Sequence, residues 1–524
     1  MSPGNEDSVR ESYDRTPYLS GSQHHTHPDH LATLAVLHGI ASARPDACRV
    51  LELGCADGGN LIPMAVELPG SQFLGIDLSP RQIERGVAEV RELGLTNVEL
   101  RALSILDVDA SIGTFDFIIC HGVFSWVARN VQEKILAICR ENLAPDGVAY
   151  VSYNTFPGWH MRRMMREMLL FHTRGVEEPE EKAARAFDLV QLLAESAGDA
   201  DDEHSRFLRA ARDHFEEYRE QPSYLLHEYF EETNAPMYFH DFAARAEEHG
   251  LQYVCEAVPH ETEVDNLPPA AHRLRAFAAD RIELEQYVDF VLNRTFRRTL
   301  LCHAGAPLDR TMRPETMRRL HAASPCKPLA PDPDLRPGVS ESFRTERGKS
   351  FSSTHPVAKA ALTALAAIWP RAASFDELLA DVRRRLRDGD DAEAILPDLL
   401  HALFRSGVVT LHVVPPVCTN VVSEHPRVTA FTRRQAARGL LVTNQRRRVL
   451  KLDDPMARAL LLQLDGTHDR GTLVRLLDRE VAAGRLDIHV DGQPVVQPER
   501  IPAVLEALVE HHLRRMAGLA LLVG

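Results

Sequence analysis

The residues best suited to chemistry lie in one short run, Leu51-Glu52-Leu53-Gly54-Cys55-Ala56-Asp57-Gly58-Gly59-Asn60. It sits between an apolar stretch that reads as a strand, Arg49–Leu53, and a helix beginning near Leu61. A glycine turn at that junction lets backbone approach a ligand closely at the carboxyl edge of a sheet. A dinucleotide fingerprint reads G-x-G-x-x-G, and this run does not fit it. Glu52, two residues before the first glycine, suits a cationic ligand better than a pyrophosphate and can anchor an amino group. Asp57 can help hold the same end, and Gly54 and Gly58 leave room for it. Asp77 closes the next strand, Phe73–Asp77, where a carboxylate can grip two ribose hydroxyls. Ser104–Asp107 follows a third strand, Asn97–Leu103, where a base would lie. His121-Gly122-Val123-Phe124-Ser125-Trp126 follows a fourth, Phe115–Cys120, where the reacting group would point.

These tips need a scaffold, and the chain supplies one. Apolar runs alternate with amphipathic stretches: helices at Leu31–Ile40, Pro80–Gly94 and Val131–Leu143, and a fifth strand at Gly147–Tyr153. That alternation implies parallel strands with right-handed crossovers and helices on both faces. Further on, Asp241–His249 and Glu283–Leu292 read as helices, and Leu251–Val258 and Phe296–Cys302 as strands of the same sheet. The stretch from about 161 to 235 is helical and charged and reads as an inserted cap. The expected division is a first domain over 1–305, a proline-rich linker over 306–350, a helical winged-helix-like module over 351–418 and a second such module over 419–524. Deleting residues 351–524 is therefore expected to spare ligand binding by the first domain.

The run Glu52–Asn60, with Asp77 behind it, resembles the class I S-adenosylmethionine methyltransferase signature, Ala56 standing in for the middle glycine. Longer segments resemble the methyltransferases that carry a methyltransferase regulatory domain: LELGCADGGNLIPM from Leu51, HGVFSW from His121, VAYVSYNTFPGWH from Val148, YLLHE from Tyr224, EQYVDFVLNRTFRRTLL from Glu285 and LDGTHDR from Leu464. The best-understood members act on lysines of a bacterial outer-membrane protein. The resemblance implies an α/β fold: a Rossmann-like class I methyltransferase sheet with a helical insert, followed by mainly helical winged-helix-like modules. It implies S-adenosylmethionine as cofactor. Cofactor contacts are expected from Tyr18, His27, Glu52, Gly54, Cys55, Asp57, Gly58, Asn60, Asp77, Leu78, Ser104, Ile105 and His121. Ser104 stands where relatives usually have Asp.

Near the reacting methyl, the resemblance places Tyr18, His27, His121, Trp126, Tyr153, Asn154 and Trp159. His121 and Tyr153 read as the positioning pair, Trp126 and Trp159 as aromatic walls. An aromatic lining would hold a lysine by cation–π contact. Free lysine titrates near ~10.4, so it must lose a proton before accepting a methyl group. The expected function is methyl transfer to a protein lysine; a small-molecule methyltransferase and a non-catalytic cofactor-binding regulator are the alternatives.

Composition narrows the partners. The formal net charge is −15, which disfavours a nucleic-acid binder, since that needs a cationic surface. Arg433-Arg434 and Arg446-Arg447-Arg448 read as solvated faces. Eight cysteines stand singly, which argues against a disulfide framework and fits a reducing cytoplasm. The His24, His25, His27, His30 cluster lacks carboxylate or cysteine partners at metal spacing; it reads as a lid over the cofactor, with no metal expected. No apolar run reaches the ~18 residues a membrane span needs.

Overall fold

The computed structural model describes residues 20–220, 222–346, 348–386, 391–490, 493–494 and 501–523. Seven strands form the central sheet: β1 (Arg49–Leu53), β2 (Gln72–Asp77), β3 (Val98–Ala102), β4 (Phe115–Cys120), β5 (Leu143–Asn154), β6 (Leu251–Glu256) and β7 (Phe296–His303), in the order β3-β2-β1-β4-β5-β7-β6. Strands β1 to β5 run parallel, and β7 is antiparallel to both β5 and β6. Strand order reverses between β1 and β4, and such a switch point opens a crevice at the carboxyl ends. Apart from the edge strand β3, whose residues alternate between buried and exposed, the strands are buried on both sides and read as near-continuous apolar runs.

Helices α1 (Pro28–Leu37), α2 (Leu61–Glu67), α3 (Pro80–Leu93) and α4 (Arg129–Glu141) cover the sheet. Local chemistry sets their ends. The Ser79 hydroxyl accepts from Gln82 N–H at the start of α3, and Gly94 closes it with φ +66°. His27 caps α1, its Nδ1 accepting from Asp29 N–H at 3.1 Å.

Helices α5 (Trp159–His172), α6 (Pro179–Ala197), α7 (Glu203–Glu217) and α8 (Pro222–Phe230) form the insert. It has a core of its own around Leu169, Val190, Phe215 and Tyr229. After α9 (Phe239–Glu248), α10 (Arg281–Leu292) is tied to the sheet by ions. Arg297 of β7 is fully buried; its guanidinium donates to both carboxylate oxygens of Asp289 at 2.8 and 2.9 Å, to Glu256 at 2.9 Å and to Glu285 at 3.0 Å. A buried cation is tolerated only when paired and hydrogen-bonded in this way. The sequence segment Glu285–Leu301 thus encodes both the cation and two of its carboxylates.

The stretch 306–350, expected as a linker, is folded. It contributes β8 (His321–Ala323), β9 (Lys327–Pro328) and β10 (Glu341–Arg344); β11 (Ser350–Ser353) completes a sheet in the order β11-β10-β9. The following module comprises α11 (Pro356–Ile368), β12 (Ala373–Ser374), α12 (Phe375–Leu386), α13 (Ala392–Arg405) and β13 (Thr410–His412). Its three-stranded sheet places β8 between β12 and β13, so the presumed linker supplies the central strand. Buried Lys359 fixes the proline-rich part: Nζ donates to the carbonyls of Asp334, Arg336 and Val339 at 2.7, 2.8 and 2.8 Å. Prolines remove donors but leave carbonyls, and one buried ammonium collects three of them. Leu31 and Leu34 of α1, Leu300 of β7, Met317, Leu362 and Leu411 share one apolar core, so this module and the sheet's α1 face are packed together.

The last unit has α14 (Ala430–Arg438), β14 (Leu441–Thr443), β15 (Val449–Lys451), α15 (Pro455–Leu462), α16 (Arg470–Ala482) and α17 (Ile501–Gly518), around a separate core that includes Leu460, Leu473, Leu505 and Leu513. Helices α15 and α16 are followed by the short antiparallel pair β16 (His489–Val490) and β17 (Gln493–Pro494), which gives the unit its winged-helix form. Among the described residues, no helix is long and apolar enough to cross a membrane.

Candidate functional site

The loop after β1 is shaped by three left-handed residues, Gly54 at φ +73°, Ala56 at φ +52° and Gly58 at φ +78°. For alanine that conformation costs ~1–2 kcal/mol, and Asp77 restrains it. Asp77 Oδ2 accepts from Ala56 N–H at 2.8 Å while Oδ1 accepts from Ser79 N–H at 2.9 Å. The acid at the tip of β2 therefore shapes the loop of β1 as well as lining the cavity beside it. Burial holds its carboxyl above the usual range.

Glu52 is 4% exposed. Its Oε1 accepts from Asn60 Nδ2 at 2.8 Å, and its Oε2 is buried with no hydrogen-bond partner among the described residues. Burial pushes its pKa up to about 7, opposed by the Asn60 bond and assisted by the charge of Asp77. A buried carboxylate oxygen with no donor of its own fits a cationic ligand group.

A cavity of about 630 Å³ opens over these strand tips. At one end lie Glu52, Gly54, Cys55, Asn60, Asp77, Leu78, Ser104 and Ile105; at the other lie His121, Trp126, Asn154 and Trp159. Ser20, Gln23, His24 and His25 line it as well, where the sequence suggested a lid. That segment is pinned by Asn60, whose Oδ1 accepts from Gln23 N–H at 2.9 Å and whose Nδ2 donates to Thr26 Oγ1 at 3.0 Å. Burial lowers His24 to about 3 and lowers His25 further, so both imidazoles are neutral. Among the described residues, no group of three His, Cys, Asp or Glu is arranged to hold a metal.

His121 reaches Tyr150 Oη at 3.0 Å and Ser152 Oγ at 3.2 Å through Nδ1. Burial, helped by the charge of Arg298, lowers its pKa to about 4. Trp126 and Trp159 meet edge to face with centroids 6.0 Å apart. Trp159 Nε1 and Asn154 Nδ2 are buried with no hydrogen-bond partner among the described residues.

Some expected residues lie elsewhere. Tyr153 does not line the cavity; it is 1% exposed, bonds to Thr299 at 3.1 Å and stacks on Phe242 at 4.1 Å. Side chains alternate along a strand, so Ser152 and Asn154 face the site and Tyr153 the opposite core. His27 also lies outside the cavity, capping α1 with Nε2 3.4 Å from Glu67. Asp57 and Gly58 belong to the loop but not to the lining: the Ser20 hydroxyl donates to Asp57, which also accepts from Gly59 N–H at 3.3 Å. Tyr18 lies outside the described residues.

The insert adds residues that sequence reasoning left without a role: Arg162, Tyr224, His227 and Glu228 line the cavity. Arg162 donates to Glu228 at 2.6 Å, and its guanidinium lies 5.8 Å from the Trp159 ring centroid. Burial raises the Glu228 carboxyl, with Arg162 opposing the shift. The signal was available: positions 224, 227 and 228 share one helix face, as do 159 and 162.

A doubly wound sheet with an antiparallel penultimate strand, a glycine loop after β1 and an acid ending β2 define a class I S-adenosylmethionine-dependent methyltransferase. The family model described as Methyltransferase domain matches residues 51–149, that described as Predicted methyltransferase regulatory domain matches 221–303, and that described as PKMT, C-terminal winged helix domain matches 424–521. An uncharacterized protein of Rickettsia prowazekii (strain Madrid E) is 33% identical over 527 residues, covering 98% of this chain and 93% of that one. The structure of PKMT2 from Rickettsia typhi is 32% identical with a TM-score of 0.88, covering 97% of this chain and 100% of that chain. The same protein in complex with AdoHcy is 31% identical, also with a TM-score of 0.88. The chain belongs to this family of methyltransferases, with S-adenosylmethionine as its cofactor.

Proposed function

We propose that the chain transfers the methyl group of S-adenosylmethionine to a lysine nitrogen of a protein. One observation carries the reading: the cavity runs from the Glu52–Asp77 end past His121 to a wall of Trp126, Trp159, Tyr224 and Glu228. Aromatic faces and a carboxylate together suit a lysine ammonium. Likeness to PKMT2 along nearly the whole chain supports the same class of acceptor.

Bound S-adenosylmethionine supplies an electrophilic methyl group on a sulfonium. Glu52 takes the cofactor's amino group, Asp77 its ribose, and Ser104 with Ile105 flank its base. The acceptor enters as an ammonium and is held by Glu228 and the two tryptophans. A low-dielectric wall lowers an amine's pKa, and its proton leaves to solvent before transfer. His121, neutral well below pH 7, accepts a hydrogen bond from the amine and orients its lone pair. Positioning and electrostatics would then suffice for an in-line displacement, the amine lone pair forming the N–C bond as the C–S bond breaks and S-adenosylhomocysteine leaves.

The test is transfer of labelled methyl from S-adenosylmethionine into a lysate of the source cell, separated by size. Label in a discrete protein band is the expected result. Label confined to the small-molecule fraction overturns the reading.

A further inference from the structure

Three consecutive arginines in the β14–β15 turn each grip a different part of the molecule. Arg446 donates to the carbonyl of Pro370 at 3.0 Å and to Thr410 Oγ1 at 2.9 Å, and lies 4.5 Å from the Trp369 ring centroid. Arg447 makes a bidentate pair with Glu67 of α2 at 2.7 and 3.2 Å and reaches Asp29 of α1 at 3.5 Å. Arg448 pairs with Glu346 at 2.6 Å. Arg447 is buried and Arg446 half-buried, and Arg447 takes a left-handed φ of +63° that a non-glycine residue adopts only at a cost. Arg434 of α14 pairs with Glu89 and Glu92, and Arg438 pairs with the same two acids. Basic residues expected to be solvated are instead paired within the molecule: Arg434 and Arg447 with acids of the first domain, Arg446 and Arg448 with residues between 346 and 410. The β14–β15 turn is committed to contacts within the molecule.

From Arg447 a polar chain leads to the cofactor end of the cavity. Glu67 lies 3.4 Å from His27, the cap of α1, and His27 ends the segment whose His24 and His25 line the cavity. Gln23 and Thr26 of that segment hold Asn60, and Asn60 holds Glu52. Asp29 is fixed from its other side by His412 at 2.8 Å and by Val414 N–H at 2.8 Å. A second cavity, of about 510 Å³, borders the chain, with His27, Glu67, Arg447, Arg427 and Arg433 in its lining. The ion pairs are therefore reachable from the interface between modules and not sealed in a core.

We propose that the Arg446–Arg448 turn is a clamp through which the C-terminal module sets cofactor affinity: Arg447 is a positioning residue that holds the Gln23–His27 cover, and with it Asn60 and Glu52, in the binding geometry. A partner that draws the turn out of its seat loosens the cofactor site, and by linkage bound cofactor tightens the seat. The proposal rests on the cofactor alone and is independent of the acceptor.

The experiment is calorimetric titration of S-adenosylhomocysteine into full-length wild type, Arg447→Lys, Arg447→Met, Asn60→Ala and the Arg447→Met/Asn60→Ala double variant. Arg447→Met weakens binding about tenfold, within the range of typical coupling energies, and Arg447→Lys recovers part of the loss. Asn60→Ala costs less in the Arg447→Met background than in wild type, because the two act through one chain; a purely structural Arg447 gives additive losses. Should Arg447→Met not fold, Glu67→Gln, which keeps the side-chain shape, weakens binding at least threefold. Unchanged affinity in a folded Arg447→Met or Glu67→Gln variant, or additive losses, overturns the proposal.

Discussion

Asn60 Nδ2 lies 2.8 Å from Glu52 Oε1 across the first loop, so one carboxylate oxygen is satisfied by the protein while the other has no donor among the described residues. Half of Glu52 is structural and half awaits a ligand. That division makes it the most informative residue to titrate.

With a pKa near 7, Glu52 binds more protons in the folded cofactor-free protein than unfolded between about pH 4.5 and 7. Its contribution to stability therefore falls as pH rises through that window. Glu52→Gln should stabilise the cofactor-free protein at pH 8 by roughly 3 kcal/mol and hardly change it at pH 4.5. The same variant should bind S-adenosylmethionine more weakly. Wild-type affinity should rise between pH 6 and 8, with proton release on binding. Urea midpoints and calorimetry in buffers of different ionisation enthalpy check both.

Asp77→Ala should weaken S-adenosylmethionine binding by ~1–3 kcal/mol, the scale of hydrogen bonds to a charged group. It also removes the acceptor of Ala56 N–H, so Asp77→Asn should recover part of the loss. Unchanged affinity on calorimetry would remove Asp77 from the ribose site.

Histidines make the fold acid-labile. Burial lowers His24 to about 3 and His30, His38 and His121 to about 4. The unfolded chain thus binds more protons than the folded one between pH 6.5 and 4. Stability is full above 6.5 and is lost as pH falls, by up to roughly 1.4 kcal/mol per pH unit for each such group. The midpoint of thermal unfolding should drop steeply from pH 6.5 to 5; a flat profile would contradict neutral burial.

Arg297→Met leaves Asp289, Glu256 and Glu285 buried without their shared cation. Loss of one partner from such a cluster costs about 3–5 kcal/mol. Chemical denaturation should show that loss, with Arg297→Lys in between because it cannot make the two parallel bonds to Asp289.

The strand tips were legible because their signals are local: a glycine turn after β1, an acid ending β2 and short apolar runs at regular spacing. Tyr153 misled because β5 is buried on both faces, so hydrophobicity does not report which side a residue faces. The alternation that puts Asn154 in the cavity excludes Tyr153. His27 could not be read from its neighbours; its surroundings include Glu67 and Arg447, far away in sequence. The 306–350 stretch looked extended because of its prolines, and the buried ammonium that folds it belongs to Lys359, outside the segment. With β8 at the centre of the next module's sheet and one core shared with α1, truncation at 350 should now destabilise the first domain rather than spare it.

Tandem mass spectrometry of the labelled acceptor, after base treatment, separates lysine methylation from its alternatives. Base-stable methyl groups on lysine Nζ are expected, strongly reduced by Glu228→Gln or Trp159→Leu at unchanged S-adenosylmethionine affinity. Methyl esters lost in base, methyl groups on another side chain, or label recovered only in small molecules would contradict lysine methylation.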